Sequence, residues 1–426
     1  MTVDAGELRR VDRHDAVSGK GMTWKLAMWG SYRDRRLLNR VAKRFPDFTE
    51  FRKKNSLIAH QGLELRTQDS NEPIEYVTEL SGAKQVAFRK LPRLGRFYDF
   101  PTTALKTIQP EHAYVRRGRV HVPLSICKPP HLVVGRNREW AVYSDEFLVI
   151  PNPQLGIAGM SGQEALLKAL ALYLVSDFVR YYQLFHSTEM GIRRSIASKA
   201  DIEILPVPFD AMSNQEIAEW ENLYDRLRDA WRKTQSSLLL QNSDADCLNE
   251  LEHEANERVF DALGLSMRER WLVTDLVHER MRMLKGKIDQ DEAPENLDAE
   301  LSAYGEALAD TLNDFIGARR HQVEIHAGKD MVMAEITLNA DATESKPTVR
   351  VHPASDAHSR ELTEIGERLV SQHQHWLYFE RRLTLFHADT IYLVKPRQRL
   401  LWTRSQALLD ADELIADTLS KSEYRA

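Results

Sequence analysis

Cysteine is scarce in this chain of 426 residues, which has only Cys127 and Cys247. Two cysteines so far apart in sequence build neither a disulfide framework nor a CxxC metal site, and such scarcity is typical of a reducing compartment. The sequence also has no apolar run of the ~18 to 20 residues that a transmembrane helix requires. Its first residues are charged and lack the apolar core of a signal peptide. We therefore expect a cytoplasmic protein.

The usual motifs of nucleotide-dependent and hydrolytic enzymes are also absent. The sequence contains no GxxxxGK[ST], HExxH or GxSxG pattern, which excludes a P-loop, a zincin site and a nucleophile elbow of the usual kinds. The glycine spacing of GIAGMSG at 156–162 fits no standard dinucleotide or S-adenosylmethionine fingerprint, and we interpret this segment as a loop. His373 and His375 are two positions apart, so a helix would direct them to opposite sides, which disfavours a shared metal ion. We expect no cofactor and no metal in this chain.

Charge of one sign is not in excess overall, because 58 Lys and Arg residues face 63 Asp and Glu residues. The distribution along the chain is nevertheless uneven. Between residues 80 and 140 there are twelve basic residues and three acidic ones, whereas residues 210 to 310 contain 24 acidic and 11 basic residues. A basic module joined to an acidic one indicates a nucleic-acid-binding surface and a scaffold. The alternative is that each charged run only keeps its own surface solvated.

Apolar periodicity predicts an α+β fold. A helix containing Leu37, Leu38 and Val41 should end at Pro46, and alternating or continuous apolar runs predict strands at 131–134, 140–144 and 147–150. We divide the chain into a polar tail at 1–21, an α/β connector at 22–79, a β-rich domain at 80–212, a helical module at 213–285 and a small α/β domain at 286–426.

Capping boxes mark the starts of several predicted helices. Ser161 and Glu164 should begin one long helix that continues to Phe185, and strand-like alternation is predicted before it at Val120, Val122 and Leu124. Further boxes are Ser213 with Glu216, Ser266 with Glu269, and Thr403 with Gln406.

The predicted helix after Ser213 carries large apolar residues at heptad spacing, a pattern that meets another helix. That helix is either the one predicted at 247–263 of this chain or part of another molecule. We name Trp220, Tyr224 and Trp231 as residues that would dock a partner protein or a second copy of the chain.

Three features of the 80–212 domain occur together: arginine-rich KLPRLGRFYDF at 90–100, an apolar helix with Leu170 and SDFVRYY, and a closing LPVP at 205–208. Together they resemble the target-recognition region of bacterial N6-adenine DNA methyltransferases of restriction-modification and anti-phage systems. The segments at 25–45 and 391–419 are similar to the parts of large members that follow the methylase core and end the chain.

One departure from this family concerns the chemistry. The family's Asn/Asp-Pro-Pro-Tyr/Phe loop, which holds the flipped adenine, is missing, as is its glycine-rich cofactor motif. Pro129 and Pro130 follow Lys128 and precede His131, and Asn152 is followed by a single proline. The resemblance therefore implies a DNA-recognition subunit, or the C-terminal half of a split enzyme, that is not catalytic alone. S-adenosylmethionine would bind to a methylase on another polypeptide.

By this interpretation the 80–212 domain binds duplex DNA, partly through phosphates and partly through bases. The phosphate candidates are Lys84, Lys90, Arg116, Arg117 and Arg119, in the same basic region as Arg89. The candidates for base contacts or stacking are Arg93, Arg96, Tyr98, His131, Arg136, Arg138, Arg193 and Arg194. For each arginine, the alternative is a solvated surface residue.

Two hypotheses from other classes stay open. In one, the chain is a divergent metal-dependent nuclease whose acidic residues are Glu324 and Glu335, with Lys329 between them. In the other, it is a scaffold of a defence complex that binds only protein.

Overall fold

The computed structural model describes residues 11–18, 21–87, 91, 96–116, 123–135, 139–187, 190, 198–236, 242–284, 292–316, 320–339, 349–353, 355, 360, 382–387 and 389–423. The fold is mixed α+β, as the sequence predicts. The chain divides into two compact units. We call Tyr32–Leu265 the central unit, and Met1–Ser31 with Ser266–Ala426 the terminal unit.

Helices occur in both units, and several begin at the predicted capping residues. Glu269 accepts from the Ser266 backbone while Ser266 accepts from the Glu269 backbone, so this capping box is complete. The helices are α1 (Arg13–Val17), α2 (Gly21–Trp29), α3 (Tyr32–Arg44), α4 (Phe48–Lys54), α5 (Glu164–Leu174), α6 (Asp177–His186), α7 (Lys199–Glu203), α8 (Asn214–Ser236), α9 (Asn242–Leu263), α10 (Met267–Asp275), α11 (Met281–Leu284), α12 (Leu297–Ile316) and α13 (Arg404–Glu423).

The strands form one larger sheet in each unit and two small sheets in the central unit. Those of the central unit are β1 (Ile58–Gln61), β2 (Leu65–Arg66), β3 (Ile74–Tyr76), β4 (Lys84–Val86), β5 (Leu105–Thr107), β6 (Tyr114–Arg116), β7 (His131–Val134), β8 (Ala141–Ser144), β9 (Leu148–Val149) and β10 (Leu155–Ala158). They pair in the orders β1-β10-β7-β8, β2-β6-β3 and β5-β4-β9. Those of the terminal unit are β11 (Arg320–Ala327), β12 (Met331–Asn339), β13 (Val349–Pro353), β14 (Leu383–His387) and β15 (Thr390–Pro396), in the order β13-β11-β12-β15-β14.

The division into units differs from the predicted domains. Strand β1 of the predicted connector pairs with β10 of the β-rich domain, so these two segments share a sheet. Helix α8 belongs to the same unit, because Lys168 of α5 lies 2.8 Å from carboxylate oxygens of both Glu221 and Asp225 of α8. The predicted helical module is therefore split at Leu265, and α10 belongs to the terminal unit.

The predicted long helix from Ser161 is wrong in two respects. Helix α5 begins at Glu164 with Gln163 at its N-cap, and Ser161 does not cap it. A second helix, α6, then begins after Ser176, whose hydroxyl accepts from the Val179 backbone at 3.3 Å. The hydroxyl of a serine stabilises such a start by satisfying a backbone donor that the helix leaves unpaired. This break was not evident from apolar periodicity, which continues across it.

The predicted strands have mixed outcomes. Strands β7, β8 and β9 confirm the three apolar runs, and the four β7 residues are all buried. Leu124 lies in a 3₁₀ turn, Leu124–Cys127, so its strand assignment is wrong. Val120 and Val122 lie outside the described residues. A turn is favoured at Leu124 because Pro123, which cannot donate to a strand ladder, stands directly before it.

In the terminal unit, helices α12 and α13 cover one face of the five-stranded sheet. Alternate residues of the strands point to this face, among them Val323 of β11 and Ala334 of β12, and they pack with Leu308 and Trp402. These four side chains are at most 1% exposed. Burial of this face accounts for the period-two apolar pattern of the strand sequences.

A charged pair lies inside this apolar layer. Lys395 of β15 donates to the Asp410 carboxylate of α13 at 2.6 Å, and both residues are at most 1% exposed. The Lys395 ammonium is 4.3 Å from the ring centroids of Tyr304 and Trp402, and Tyr304 donates to Asp410 at 2.7 Å. Burial alone would raise the pKa of Asp410, but Lys395 and Arg382 outweigh it and keep this pKa below its ordinary value.

We expect Lys395→Met to destabilise the terminal unit by about 3 kcal/mol, because it leaves the Asp410 carboxylate buried without its closest cation. Urea unfolding followed by tryptophan fluorescence measures this. Arg350→Met is the control: Arg350 is 3.7 Å from Glu324 in an exposed pair, and its removal should cost less than about 1 kcal/mol. Equal effects of the two substitutions would contradict a structural role for the buried pair.

Candidate nucleic-acid interface

The residues predicted to contact DNA fall into three groups in the structure. One group lies outside the described residues, so its placement stays a prediction. Its members are Arg89, Lys90, Arg93, Arg117, Arg119, Arg136, Arg138, Arg193 and Arg194. A second group is buried and a third is ion-paired at the surface.

Two arginine-rich segments are each followed in sequence by a residue of one aromatic cluster. Phe97 follows the segment 92–95, and Trp140 follows the segment 136–138; their rings stack with centroids 4.9 Å apart. Gly135 donates to the Trp140 carbonyl at 2.9 Å, and a Cβ on Gly135 would lie 2.5 Å from the Trp140 ring. Only glycine fits this close approach. The cluster therefore places Phe97, Trp140 and Gly135 side by side.

Arg96 belongs to the buried group, which corrects its assignment to DNA. Its guanidinium is 2.7 Å from the carboxylate of Asp177 at the start of α6 and 3.8 Å from Glu252 of α9. The side chain is 13% exposed. Burial alone would lower the pKa of Arg96, but these two carboxylates raise it above its ordinary value. Arg96 therefore fixes the end of a basic segment to two helices.

Asp177 is tied to the same helices through its backbone. Its N–H donates to the side-chain oxygen of Asn256 on α9 at 2.9 Å, and its carboxylate lies 3.7 Å from Arg180 one turn along α6. Burial has the largest effect on the Arg180 guanidinium and lowers its pKa. The arrangement is a buried network of opposite charges in which each carboxylate contacts a cation.

Tyr98 and His131 are also in the interior, so their assignment to base contacts is corrected as well. Tyr98 is 2% exposed; its hydroxyl donates to Glu252 at 3.2 Å and its carbonyl accepts from Tyr224 at 3.0 Å. His131 is fully buried in β7, where its Nδ1 bonds to the carbonyl of Ile126 at 2.8 Å. Burial lowers the pKa of His131 to about 4, so the ring is neutral at pH 7.

Lys84 and Arg116 form the surface group. Lys84 is 3.0 Å from Glu146. The Arg116 guanidinium lies 3.2 Å from Glu64 and 3.6 Å from Glu72, and the same two carboxylates also bind Arg66. A phosphate would have to compete with these carboxylates, which reduces the contribution that either cation could make to DNA binding.

The heptad residues pack inside the central unit, which corrects their assignment as docking residues. Trp220 is 2% exposed and meets Phe209 edge-on at 5.3 Å. Tyr224 is fully buried, and its hydroxyl accepts from the Tyr143 backbone at 2.9 Å. Trp231 is 5% exposed. Of the two alternatives predicted for the heptad residues, the structure shows packing within the chain.

The acidic pair of the nuclease hypothesis lies on neighbouring strands. Glu324 of β11 and Glu335 of β12 are opposite each other in register, so their side chains share one sheet face. Glu324 is 3.7 Å from Arg350, and Glu335 is 3.6 Å from the His326 Nε2. Lys329 is in the turn between the strands. Among the described residues, no three metal-ligating side chains are grouped as an ion would require.

Helix α3 is a basic element that sequence inspection did not select. It has six Lys or Arg residues among thirteen, and its only acidic residue is Asp34. Asp34 is 6% exposed and accepts from the Tyr181 hydroxyl at 2.8 Å. The sequence YRDRRLLNRVAKR carries this signal, but it lies outside the basic region between residues 80 and 140.

Comparison with protein-family models and with curated proteins finds no match for this chain. Within the parts of the chain that the structure describes, no helix has the length and hydropathy needed to cross a membrane. Function is therefore inferred from the residues and their geometry.

Replacing Arg96 with methionine should destabilise the central unit by about 3 kcal/mol, because the buried Asp177 and the partly buried Glu252 then lose their main cation. Chemical unfolding measures the change. Arg226→Met is the matched control, since Arg226 is 3.1 Å from Glu254 in an exposed pair whose loss should cost less than about 1 kcal/mol. If Arg96→Met unfolded at the same denaturant concentration as the wild-type protein, the buried network would not be what stabilises the central unit.

The buried His131 makes stability fall on acidification. Its pKa is about 4 when folded and 6.5 when exposed, so the unfolded chain binds the extra proton between these values. This residue should cost about 1.4 kcal/mol of stability per pH unit as the pH falls from 6.5 to 4. Unfolding measured across this range should show a smaller loss for His131→Gln, which cannot titrate. An identical pH profile for both proteins would be evidence against a neutral, buried imidazole.

Proposed function

We propose that this chain is the DNA-recognition component of an N6-adenine DNA methyltransferase of a restriction-modification or phage-defence system. It binds duplex DNA, and a methylase on another polypeptide binds S-adenosylmethionine and transfers the methyl group. The resemblance of the 80–212 segment to target-recognition regions supports this proposal. The missing Asn/Asp-Pro-Pro-Tyr/Phe loop supports the assignment of catalysis to a partner.

The observation that carries the proposal is the packing of two aromatic residues that follow arginine-rich segments in sequence. Phe97 and Trp140, which follow these segments, stack on each other, and Trp231 of α8 lies 6.3 Å from Phe97. The stacked pair is a preorganised element of the protein, and preorganisation lowers the entropy lost on binding. Arg93, Arg136 and Arg138 are the basic residues that these segments contribute.

The buried network gives this stacked pair a second attachment. Arg96 follows the segment 92–95 directly, and its ion pair with Asp177 joins that segment to α6. In this proposal Arg96 acts inside the protein, and Arg93 contacts DNA. Phosphate contacts then fix the position of the duplex, and contacts to base edges supply the sequence preference.

The test is a titration of the pure protein with duplex DNA across a salt series. We expect binding that weakens steeply with salt, because phosphate contacts release counterions. The double substitution Arg136→Ala with Arg138→Ala should reduce the slope of log K against log salt by about 2. The control removes the same charge from the acidic helices, as Arg226→Ala with Arg258→Ala, and should leave the slope unchanged.

Addition of the protein encoded by the neighbouring gene, if it is the methylase, should increase the preference for one DNA sequence and give adenine methylation. DNA binding that is absent or insensitive to salt, with and without that protein, would overturn the proposal in favour of a scaffold that binds only protein. Cleavage of DNA by the pure protein with Mg²⁺ would overturn it in favour of the nuclease hypothesis.

A further inference from the structure

We propose that helix α3 is itself a DNA-contacting surface, in which the exposed face formed by Tyr32, Arg36, Asn39 and Lys43 lies against duplex DNA. This inference rests on the proposed DNA-binding function and names a surface for it outside the 80–212 segment.

One face of α3 is anchored in the core. Leu37, Leu38 and Val41 are at most 1% exposed. The residues of the exposed face follow each other at spacings of four, three and four, which places them in one stripe on the opposite side of the helix. Tyr32, which begins this stripe, is 75% exposed. The anchored face fixes the orientation in which the stripe meets solvent.

The charges of α3 are not neutralised on this stripe. Arg36 and Lys43 are exposed and form no ion pair with any other described residue. Lys84 and Arg116, in contrast, are each close to carboxylates. The one acidic residue of α3, Asp34, is directed inward to Tyr181. The exposed stripe therefore presents cations that a phosphate could bind without displacing a carboxylate.

The two unpaired cations of the stripe indicate the kind of ligand. Arg36 and Lys43 are seven residues apart, which is about 10 Å along the helix axis. A ligand that contacts both must carry negative charge over that distance, as the phosphate backbone of a duplex does. We therefore choose a polyanion as the ligand.

The dimensions and side chains of α3 fit duplex DNA in particular. Thirteen residues make a helix about 20 Å long, and the major groove of B-DNA admits an α-helix. Arg36 and Asn39 occupy the middle of the stripe; arginine pairs bidentately with guanine and asparagine with adenine. Lys43, at the end of the stripe, is placed to contact phosphate.

The decisive variant is Arg36→Ala with Lys43→Ala, measured by the same salt series with duplex DNA. Both side chains are exposed, and alanine favours a helix, so the fold should persist, as circular dichroism can verify. We expect the salt slope to fall by about 2 and the affinity at 0.1 M salt to fall about 10- to 100-fold. Arg226→Ala with Arg258→Ala is again the matched control.

A second variant separates base contacts from charge. Asn39→Ala does not change charge, so it should leave the salt slope unchanged while reducing the ratio of specific to non-specific affinity about 5- to 100-fold. This ratio is measured with the preferred duplex and a scrambled one, in the presence of the methylase partner. An unchanged ratio would limit α3 to phosphate contacts and overturn its part in base recognition.

Failure of this inference can be distinguished from failure of the proposed function. Wild-type protein that does not bind duplex DNA contradicts both. Wild-type protein that binds, together with an Arg36→Ala, Lys43→Ala variant that binds with the same affinity and slope as its control, contradicts the role of α3 alone. In that case the segments that end at Phe97 and Trp140 remain the proposed contact.

Discussion

The buried ion pair between Arg96 and Asp177 is the contact on which the proposed DNA-binding part of the central unit depends. Removing a guanidinium from water is costly unless a carboxylate replaces the lost hydration, and here Asp177 does so at 2.7 Å. Because both charges need each other, Arg96 has one position relative to α6. Glu252 and Asn256 extend this constraint to α9. Charge pairing thus fixes Arg96 to two helices.

The terminal unit uses the same principle in a different setting. Lys395 and Asp410 are enclosed by Tyr304 and Trp402, between a sheet and two helices. An apolar pair of similar volume could give equal or greater stability, so stability alone does not account for such a pair. Charges that require one exact partner do, however, penalise any other packing of β15 against α13. We interpret the pair as a contribution to conformational specificity.

Local signals predicted much of the fold, and tertiary contacts decided the rest. Ser213 and Ser266 begin helices as expected because capping is settled within four residues. The sequence did not determine what the heptad residues pack against, because that depends on which surface lies opposite them. In the structure Tyr224 contacts Tyr98 and Tyr143, which are far away in sequence. Similarly, nothing within KLPRLGR indicates that Arg96 is buried. The carboxylate that buries Arg96 is 81 residues further along the chain.

Charge counted along the sequence is therefore an incomplete guide to a binding surface. The basic region between residues 80 and 140 includes Arg96, which is buried, and Lys84 and Arg116, which are paired with carboxylates. Helix α3 lies outside that region, yet its one acidic side chain is directed inward, so its outer face keeps its positive charge. Attraction to phosphate depends on cations that are exposed and not already neutralised. By that criterion, Arg36 and Lys43 of α3 are better candidates for phosphate contact than Lys84 and Arg116 of the basic region.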